Sequence, residues 1–394
     1  MWTIDPLTTS DEILPLLDPP KTVVILGSYG PSLVRFRLPL IVALRKRGCN
    51  VVVGAPLSEL SLADRQCLES HGAVLVDAPV SRHNVGVLSG LAYTFRIARL
   101  LKKNKAQALV SYTAKPVIFG CFAARMAGTK KVVPLITGLG SIFTGLADTR
   151  KQFVVRLVMS RLYRVTLGMA GCAFFQNGDD PRDLAALGGL SLSRTRVEFM
   201  PGSGVDLRYF AMSSPPSTST GIVFLMIARL IADKGVREFA EAARRLRRKS
   251  IAARFILVGP LDANPSGLSL PEVQGWEDVE YVGPADDVRP FIAACHVYVL
   301  PSYREGTPRS VLEAMAMGRA IVTTDAPGCR ETVINNDNGF LVPVRDVAAL
   351  ADTMQRFIES PELIARMGSR SRLMAEGKYD AEHAYDGVLK ELGW

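Results

Sequence analysis

KTVVILGSYGPSLVRFRLPLIVALRKRGCNVVV, residues 21–53, decides the fold. A β-branched run, Lys21–Leu26, is stopped by Gly27-Ser28-Tyr29-Gly30. Leu38–Arg47 then has helical spacing, Gly48 closes it, and Val51–Val53 starts another buried run. Strands that are apolar throughout and alternate with helices imply a parallel sheet covered on both faces. The same rhythm predicts strands at Ala73–Val76, Ala108–Tyr112, Lys131–Ile136 and Ala173–Gln176.

The pattern restarts after Ser213–Thr220, a stretch too rich in Ser, Thr and Pro to pack. Beyond it Ile222–Ile227, Arg254–Val258, Val279–Val282, Val297–Leu300 and Ala320–Thr323 are read as strands. The expected architecture is α/β, with two Rossmann-like doubly wound domains facing a cleft. Its divisions are an N-terminal extension (1–20), a first domain (21–205), a linker (206–220), a second domain (221–377) and a C-terminal helix (378–394) returning to the first domain. Ligands of open parallel sheets bind beyond the carboxyl ends of the strands, so the cleft is the expected site.

A chain of 394 residues, 48% hydrophobic and 22% charged, has material for two or three domains and is not a disordered polymer. The six cysteines (Cys49, Cys67, Cys121, Cys172, Cys295, Cys329) are scattered without a C-x-x-C pair, against a disulfide framework or structural zinc site. The first twenty residues carry acids and prolines where a signal peptide would be basic, and no stretch offers the ~20 uninterrupted apolar residues of a spanning helix. A cytoplasmic location is expected. The net charge of +9 is uneven: residues 1–200 hold 25 Lys and Arg against 13 Asp and Glu, and residues 201–394 hold 22 against 25. The basic half points to a local anionic partner.

Two segments carry chemistry. In Leu300–Gly318 (LPSYREGTPRSVLEAMAMG) a strand ends at Leu300, a loop carries Glu305-Gly306, and a helix is expected from Pro308 to Met317. A helix start has free N–H groups suited to anions or sugar hydroxyls. On spacing alone Glu305 is read as a turn residue and Glu313 as a solvent-facing one, because Glu pairs on helices are common. Ile227-Ala228-Arg229-Leu230-Ile231-Ala232-Asp233-Lys234-Gly235 follows a buried strand directly, placing Arg229 and Lys234 where two cations can hold a diphosphate.

With these residues the chain resembles the retaining glycosyltransferases of family four, which have the two-domain GT-B fold. Glu305 and Glu313 stand at the family's E-x7-E spacing, and Arg229 and Lys234 at its R-x4-K spacing. Phe36–Ile41, Gly138-Leu139-Gly140-Ser141, Gly202–Asp206, Met226–Arg229 and Asp262–Ser266 are similar to bacterial enzymes extending polyprenyl-diphosphate-linked saccharides, such as N-acetylgalactosaminyl transferases. The resemblance implies a UDP-sugar donor, with no cofactor and no metal.

It also implies roles. Arg229 and Lys234 bind the donor diphosphate. Glu313, ionised, accepts the ribose hydroxyls. Glu305 and the backbone of Gly306, Thr307 and Pro308 hold the donor sugar. The backbone around Gly283 reads the base, and Gly27 and Gly30 approach the diphosphate from the first domain. Arg37, Gly138 and Gly140 are first-domain or acceptor positions. The implied mechanism retains configuration, the leaving diphosphate taking the acceptor's proton on the same face. No D-x-D motif occurs, and Asp179-Asp180 and Asp286-Asp287 are read as helix starts. Many relatives carry a histidine where this chain has Thr113-Ala114-Lys115-Pro116. Lys115 is either the charge in its place or a surface lysine.

Leu91–Lys105 and Arg150–Arg164 are both basic and amphipathic. In the second, Val155, Val158, Met159 and Leu162 are expected on one face, with Arg156, Arg161 and Arg164 around it. Each stretch is either a core-facing helix with a solvated basic side or a contact for an anionic membrane surface. With a lipid-linked acceptor, the expected location is peripheral, on the inner face of the plasma membrane. The rival readings are a UDP-N-acetylglucosamine 2-epimerase-like enzyme, a transferase with a soluble acceptor, a non-catalytic binding subunit and a nucleic-acid binder. The last lacks any aromatic and basic reading platform, so no nucleic-acid partner is expected. The oligomeric state is left open.

Overall fold

The computed structural model describes residues 20–80, 87–140, 150–249, 252–264 and 266–393; the extension up to residue 19, His83 and Ser141 lie outside them. Strands β1 (Thr22–Leu26), β2 (Asn50–Ala55), β3 (Ala73–Asp77), β4 (Ala108–Tyr112), β5 (Lys131–Ile136), β6 (Cys172–Phe175) and β7 (Arg196–Phe199) form a parallel sheet. Their order is β3-β2-β1-β4-β5-β6-β7. A second parallel sheet holds β8 (Ile222–Ile227), β9 (Ala253–Val258), β10 (Glu280–Gly283), β11 (Val297–Leu300), β12 (Ala320–Thr324) and β13 (Gly339–Val342). Its order is β10-β9-β8-β11-β12-β13. Strands β1 and β4 are buried along their whole length, as central strands covered on both faces must be. Sheet order reverses between β1 and β4 and again between β8 and β11. Crevices open at the carboxyl ends of those pairs.

β7 and β13 were not expected from the sequence. Both are edge strands of four residues; Arg196 and Glu198 interrupt the apolar run of β7, and β13 opens on Gly339. The helix expected at Leu38–Arg47 spans Leu38–Lys46 and is preceded by a π-helical turn, Leu33–Arg37. Pro39 explains this start. It has no N–H to return to the carbonyl four residues back, so the Arg35 carbonyl is left for another donor.

The chain crosses between the lobes twice, side by side. Val205 N–H donates to the Tyr379 carbonyl at 2.7 Å, and Ala381 N–H to the Val205 carbonyl at 3.1 Å. Helix Glu362–Lys378 buries Ile364, Met367 and Ala375 in the second-lobe core. After the crossing, Tyr385, Val388, Leu389 and Leu392 enter the first-lobe core through helix Asp386–Leu392.

Ser213 to Thr220 is tied to the second lobe by Arg319, whose side chain is fully buried. Its guanidinium donates to the carbonyls of Ile292 (2.7 Å), Ser213 (2.9 Å) and Ala293 (3.3 Å). Arg319→Ala strands those carbonyls and opens a cavity, and should cost roughly 3 kcal/mol. Urea unfolding followed by circular dichroism measures the loss; an unchanged midpoint would mean that the buried guanidinium does not carry this attachment.

Candidate functional site

At the carboxyl end of β8 the chain turns through Ala228 and Arg229 into a 3-10 turn, Ala232–Lys234, and then helix Val236–Arg248. Gly235, with φ +73°, makes the passage. A Cβ there would lie 2.1 Å from the Pro301 carbonyl oxygen, so the two loops after β8 and β11 touch only because residue 235 has no side chain. This contact brings Lys234 to Glu305. Their charged ends form an ion pair with side chains 20% and 12% exposed, and Ser302 Oγ donates to Glu305 Oε1 at 2.8 Å. Arg229 reaches outward to Asp262 (2.7 Å) with half its side chain in solvent.

Helix Arg309–Ala316 follows, with Pro308 at its N-cap. Arg309 pairs with Glu313 one turn on at 3.0 Å and donates across the cleft to the Arg35 carbonyl at 2.8 Å, the one released by Pro39. Its guanidinium lies 5.8 Å from the Phe36 ring centre. Burial pushes the Glu313 carboxyl above its ordinary range, and the Arg309 and Arg35 charges pull it back. Among the described residues neither the Gly306 nor the Thr307 N–H has an acceptor. Three cations (Arg229, Lys234, Arg309), three carboxylates (Asp262, Glu305, Glu313) and two free N–H groups therefore share one end of the second sheet. Such a set can hold a diphosphate beside hydroxyl groups.

Of the residues singled out in the sequence, Arg229, Lys234, Glu305, Gly306, Thr307, Pro308 and Glu313 meet here. Gly138 joins them from the first lobe; a Cβ on it would lie 3.2 Å from the Gly306 nitrogen. Gly140 has no neighbour within 4 Å of a Cβ position among the described residues. Gly27 N–H bonds the Gly54 carbonyl, and Gly30 N–H is taken by Glu59 Oε2 at 3.1 Å, so neither amide is free for a diphosphate. Gly283 N–H lies at the end of β10, its carbonyl accepting from Gly259 N–H at 2.8 Å.

Arg37 does not line the cleft. It is 2% exposed, donates to Ser203 Oγ (3.0 Å) and Tyr385 Oη (2.6 Å), and stacks 4.2 Å from the Tyr112 ring centre, where the chain passes between lobes. Lys115 stands in the first turn of helix Ala114–Ala127, and burial pulls its pKa down. The residue before that helix, Thr113, holds φ +66°, a strained value for a β-branched residue, with its hydroxyl donating to Ser28 Oγ at 2.8 Å. Asp262, Ser302 and Arg309 were not identified as site partners in the sequence: Asp262 meets Arg229 from another loop, whereas Ser302 and Arg309 meet Glu305 and Glu313 within their own segment, where the three- and four-residue spacings were legible.

The basic helices lie on the first lobe. Val87–Lys103 and Arg150–Ala170 both pack on helix Ala114–Ala127. In the second of them Val155, Met159 and Leu162 turn toward the core with Tyr163 and Leu167. Val158 does not: it is 49% exposed against 8% for Met159 and lies with exposed Phe153, Val154, Leu157 and Val165. The expected single face is thus two faces, because Val158 and Met159 lie about 100° apart around the axis. Arg161 and Arg164 are exposed beside the outer stripe; Arg156 is half-buried, its guanidinium 5.7 Å from the Phe153 ring centre. On Val87–Lys103, Leu91 and Phe95 are exposed, and Phe95 lines a shallow groove with Ala92, Arg96 and Arg99. No helix among the described residues is long and apolar enough to cross a membrane.

The profile "Glycosyl transferases group 1" matches residues 221–360, and "Glycosyl transferase 4-like" matches residues 27–172. An N,N'-diacetylbacillosaminyl-diphospho-undecaprenol alpha-1,3-N-acetylgalactosaminyltransferase of Campylobacter jejuni is 30% identical over 384 residues, covering 93% of this chain and 99% of the relative. A UDP-Gal:alpha-D-GlcNAc-diphosphoundecaprenol alpha-1,3-galactosyltransferase of Escherichia coli is 24% identical over 312 residues, 72% of this chain and 75% of the relative. Among solved structures, Anabaena HepE in complex with UDP and glucose superposes with a TM-score of 0.72 at 18% identity, covering 94% of this chain and 99% of that one. Sucrose-phosphate synthase from Thermosynechococcus elongatus gives 0.76 at 18% identity, covering 95% and 97%. At those identities the likeness is one of fold: two parallel-sheet lobes of the GT-B type.

Proposed function

The chain belongs to the group 1 glycosyl transferases, and on that premise we propose that it moves an N-acetylhexosamine from a UDP-sugar to a saccharide carried on a polyprenyl diphosphate. The observation that carries the reading is the meeting of Arg229, Lys234, Glu305 and Glu313 at one end of the second sheet. The near full-length similarity to the Campylobacter jejuni transferase supports the acceptor class.

In this reading Arg229 and Lys234 turn from Asp262 and Glu305 to the donor diphosphate, whose charge grows as it leaves. Glu305, relieved of Lys234, and the Gly306 and Thr307 N–H groups hold the sugar, and Glu313 holds the ribose. The bond between the anomeric carbon and the diphosphate oxygen breaks, and the acceptor oxygen bonds that carbon on the same face. The acceptor's proton passes to the departing diphosphate, so configuration is retained and no protein base is required. Catalysis is then positioning and electrostatic stabilisation of the leaving group, without a metal.

The reading also places the enzyme at the inner surface of the plasma membrane. A lipid-linked acceptor sits at the bilayer, and two helices carry exposed apolar residues among cations of the type that docks there: Leu91 and Phe95 with Arg96 and Arg99 on one, Phe153, Leu157 and Val158 with Arg161 and Arg164 on the other.

UDP release across a panel of UDP-sugars, with and without lipid-linked acceptor, tests the reaction. One UDP-sugar should turn over with acceptor, at a rate indifferent to excess EDTA, and Arg229→Ala and Lys234→Ala should each lower kcat on the order of 10²-fold. Normal turnover in both variants would remove the diphosphate from this site.

Acid should weaken donor binding early. An ionised Glu313 accepts hydrogen bonds from the ribose hydroxyls through both oxygens and more strongly than the neutral acid, and burial raises its pKa, so UDP affinity should fall as pH drops toward values still above the ordinary glutamate pKa of about 4.3. Calorimetric titration against pH measures it, and a flat profile down to that value would contradict the ribose role.

Co-sedimentation tests the docking face. Wild type should bind vesicles containing anionic lipid, less so as salt rises, and neutral vesicles poorly. The combined Arg156→Glu, Arg161→Glu and Arg164→Glu variant should stay in the supernatant while still using a water-soluble acceptor. Sedimentation like wild type would assign this face to solvent.

A further inference from the structure

Outside the cation and carboxylate set, a dense polar cluster among the described residues joins the lobes at the loop carrying Glu305 and Gly306. Asn177, two residues past β6 in the first lobe, is 2% exposed. Its Oδ1 accepts the N–H groups of Asp179 (3.1 Å) and Asp180 (2.8 Å), turning the chain into helix Asp179–Ala186. Its Nδ2 donates to the carbonyls of Glu305 and Gly306, both at 3.2 Å, and to Asp180 Oδ2 at 3.1 Å. Arg304, the residue before Glu305, reaches the same corner. It meets Asp180 at 2.5 Å and Asp183 at 2.7 Å, with the Arg304 and Asp180 side chains 9% and 0% exposed. Asp179 pairs with Arg330, again from the second lobe. A Cβ on Gly306 would lie 2.3 Å from the Thr137 carbonyl oxygen and 2.5 Å from Gln176 Oε1, so the loop lies directly against first-lobe backbone.

Peptide planarity turns these contacts into an orientation. In a trans peptide the C=O and N–H point opposite ways. Asn177 holds the Glu305 and Gly306 carbonyls, and the N–H groups of those same two peptides belong to Gly306 and Thr307, the pair without acceptors. The first lobe therefore decides which way the free donors of the second lobe point.

We propose that Asn177, with the buried Asp180–Arg304 pair, is a cross-lobe positioning device that aims the Gly306 and Thr307 N–H groups at the donor sugar. The proposal rests on the donor-site reading above. It makes the sugar-holding half of the site a joint product of both lobes, while the diphosphate-holding half, Arg229 and Lys234, belongs to the second lobe alone.

That division supplies the test. Asn177→Ser keeps a hydroxyl that can cap the following N–H groups but is too short to reach the Glu305 and Gly306 carbonyls. Arg304→Lys keeps the charge and loses the fork, and serves if the serine variant does not fold. Calorimetry with UDP and with the UDP-sugar that wild type turns over should show UDP affinity within about twofold of wild type and UDP-sugar affinity lower by about tenfold, the scale of one hydrogen bond. Equal losses for UDP and UDP-sugar would reduce the cluster to a tie between lobes and overturn the proposal, as would no loss for either. A wild type that binds neither overturns the donor reading and this proposal together, whereas normal wild-type binding with an indifferent variant overturns this proposal alone.

Discussion

Two parallel sheets end against one another, and almost every polar contact in the cleft follows from that constraint. A parallel strand exits at its carboxyl end into a loop that must start a helix, and that loop carries unpaired N–H groups and whatever charges the sequence supplies. The loops after β8 and β11 supply Arg229, Lys234 and Glu305, and Gly235 lets them touch. The loops after β5 and β6 supply Thr137, Gly138 and Asn177, which close over Glu305 and Gly306. The cleft is thus built from strand ends, with side chains added to a backbone contact that already exists.

The charges in the cleft are matched with one another: Lys234 with Glu305, Arg309 with Glu313, Arg229 with Asp262. These pairs differ in what it takes to open them. Arg229 is half in solvent although Asp262 is only 20% exposed, so this pair has one solvated partner, and on the proposed reading a diphosphate reaches Arg229 first. Lys234 and Glu305 are more enclosed. Separating them leaves a buried carboxylate that must find hydroxyl donors at once, so a donor carrying its sugar satisfies both partners where a bare diphosphate satisfies one.

Much of this was legible in the sequence, and the rest was not for identifiable reasons. The inner strands are short, mostly apolar runs, bounded at nearly every end by polar or turn residues, so β4, β5, β8 and β11 have the boundaries read from the sequence. The edge strands β7 and β13 carry charge or glycine and leave no such trace. Arg229, Lys234, Glu305 and Glu313 stand out by spacing within single loops. Ser302 and Arg309 meet Glu305 and Glu313 within one segment, whereas Asp262 and the Asn177 corner depend on which loops the two sheets bring together. Asp179-Asp180 reads correctly as a helix start, yet the sequence does not reveal that Arg330 and Arg304 cross from the other lobe to meet it. Arg37, which the resemblance makes a first-domain or acceptor position, is buried between Tyr112 and Tyr385, because the chain's last helix returns over it.

The central claim is that the donor is held at the carboxyl ends of β8 and β11 by groups that exchange protein partners for it. A crystal structure with the UDP-sugar bound measures this directly. The account predicts the diphosphate on Arg229 and Lys234, with the Asp262 and Glu305 pairs opened, the ribose on Glu313, and the sugar within hydrogen-bond distance of Glu305 and the Gly306 and Thr307 N–H groups. A donor bound elsewhere, or bound here with the Lys234–Glu305 pair intact, would contradict it.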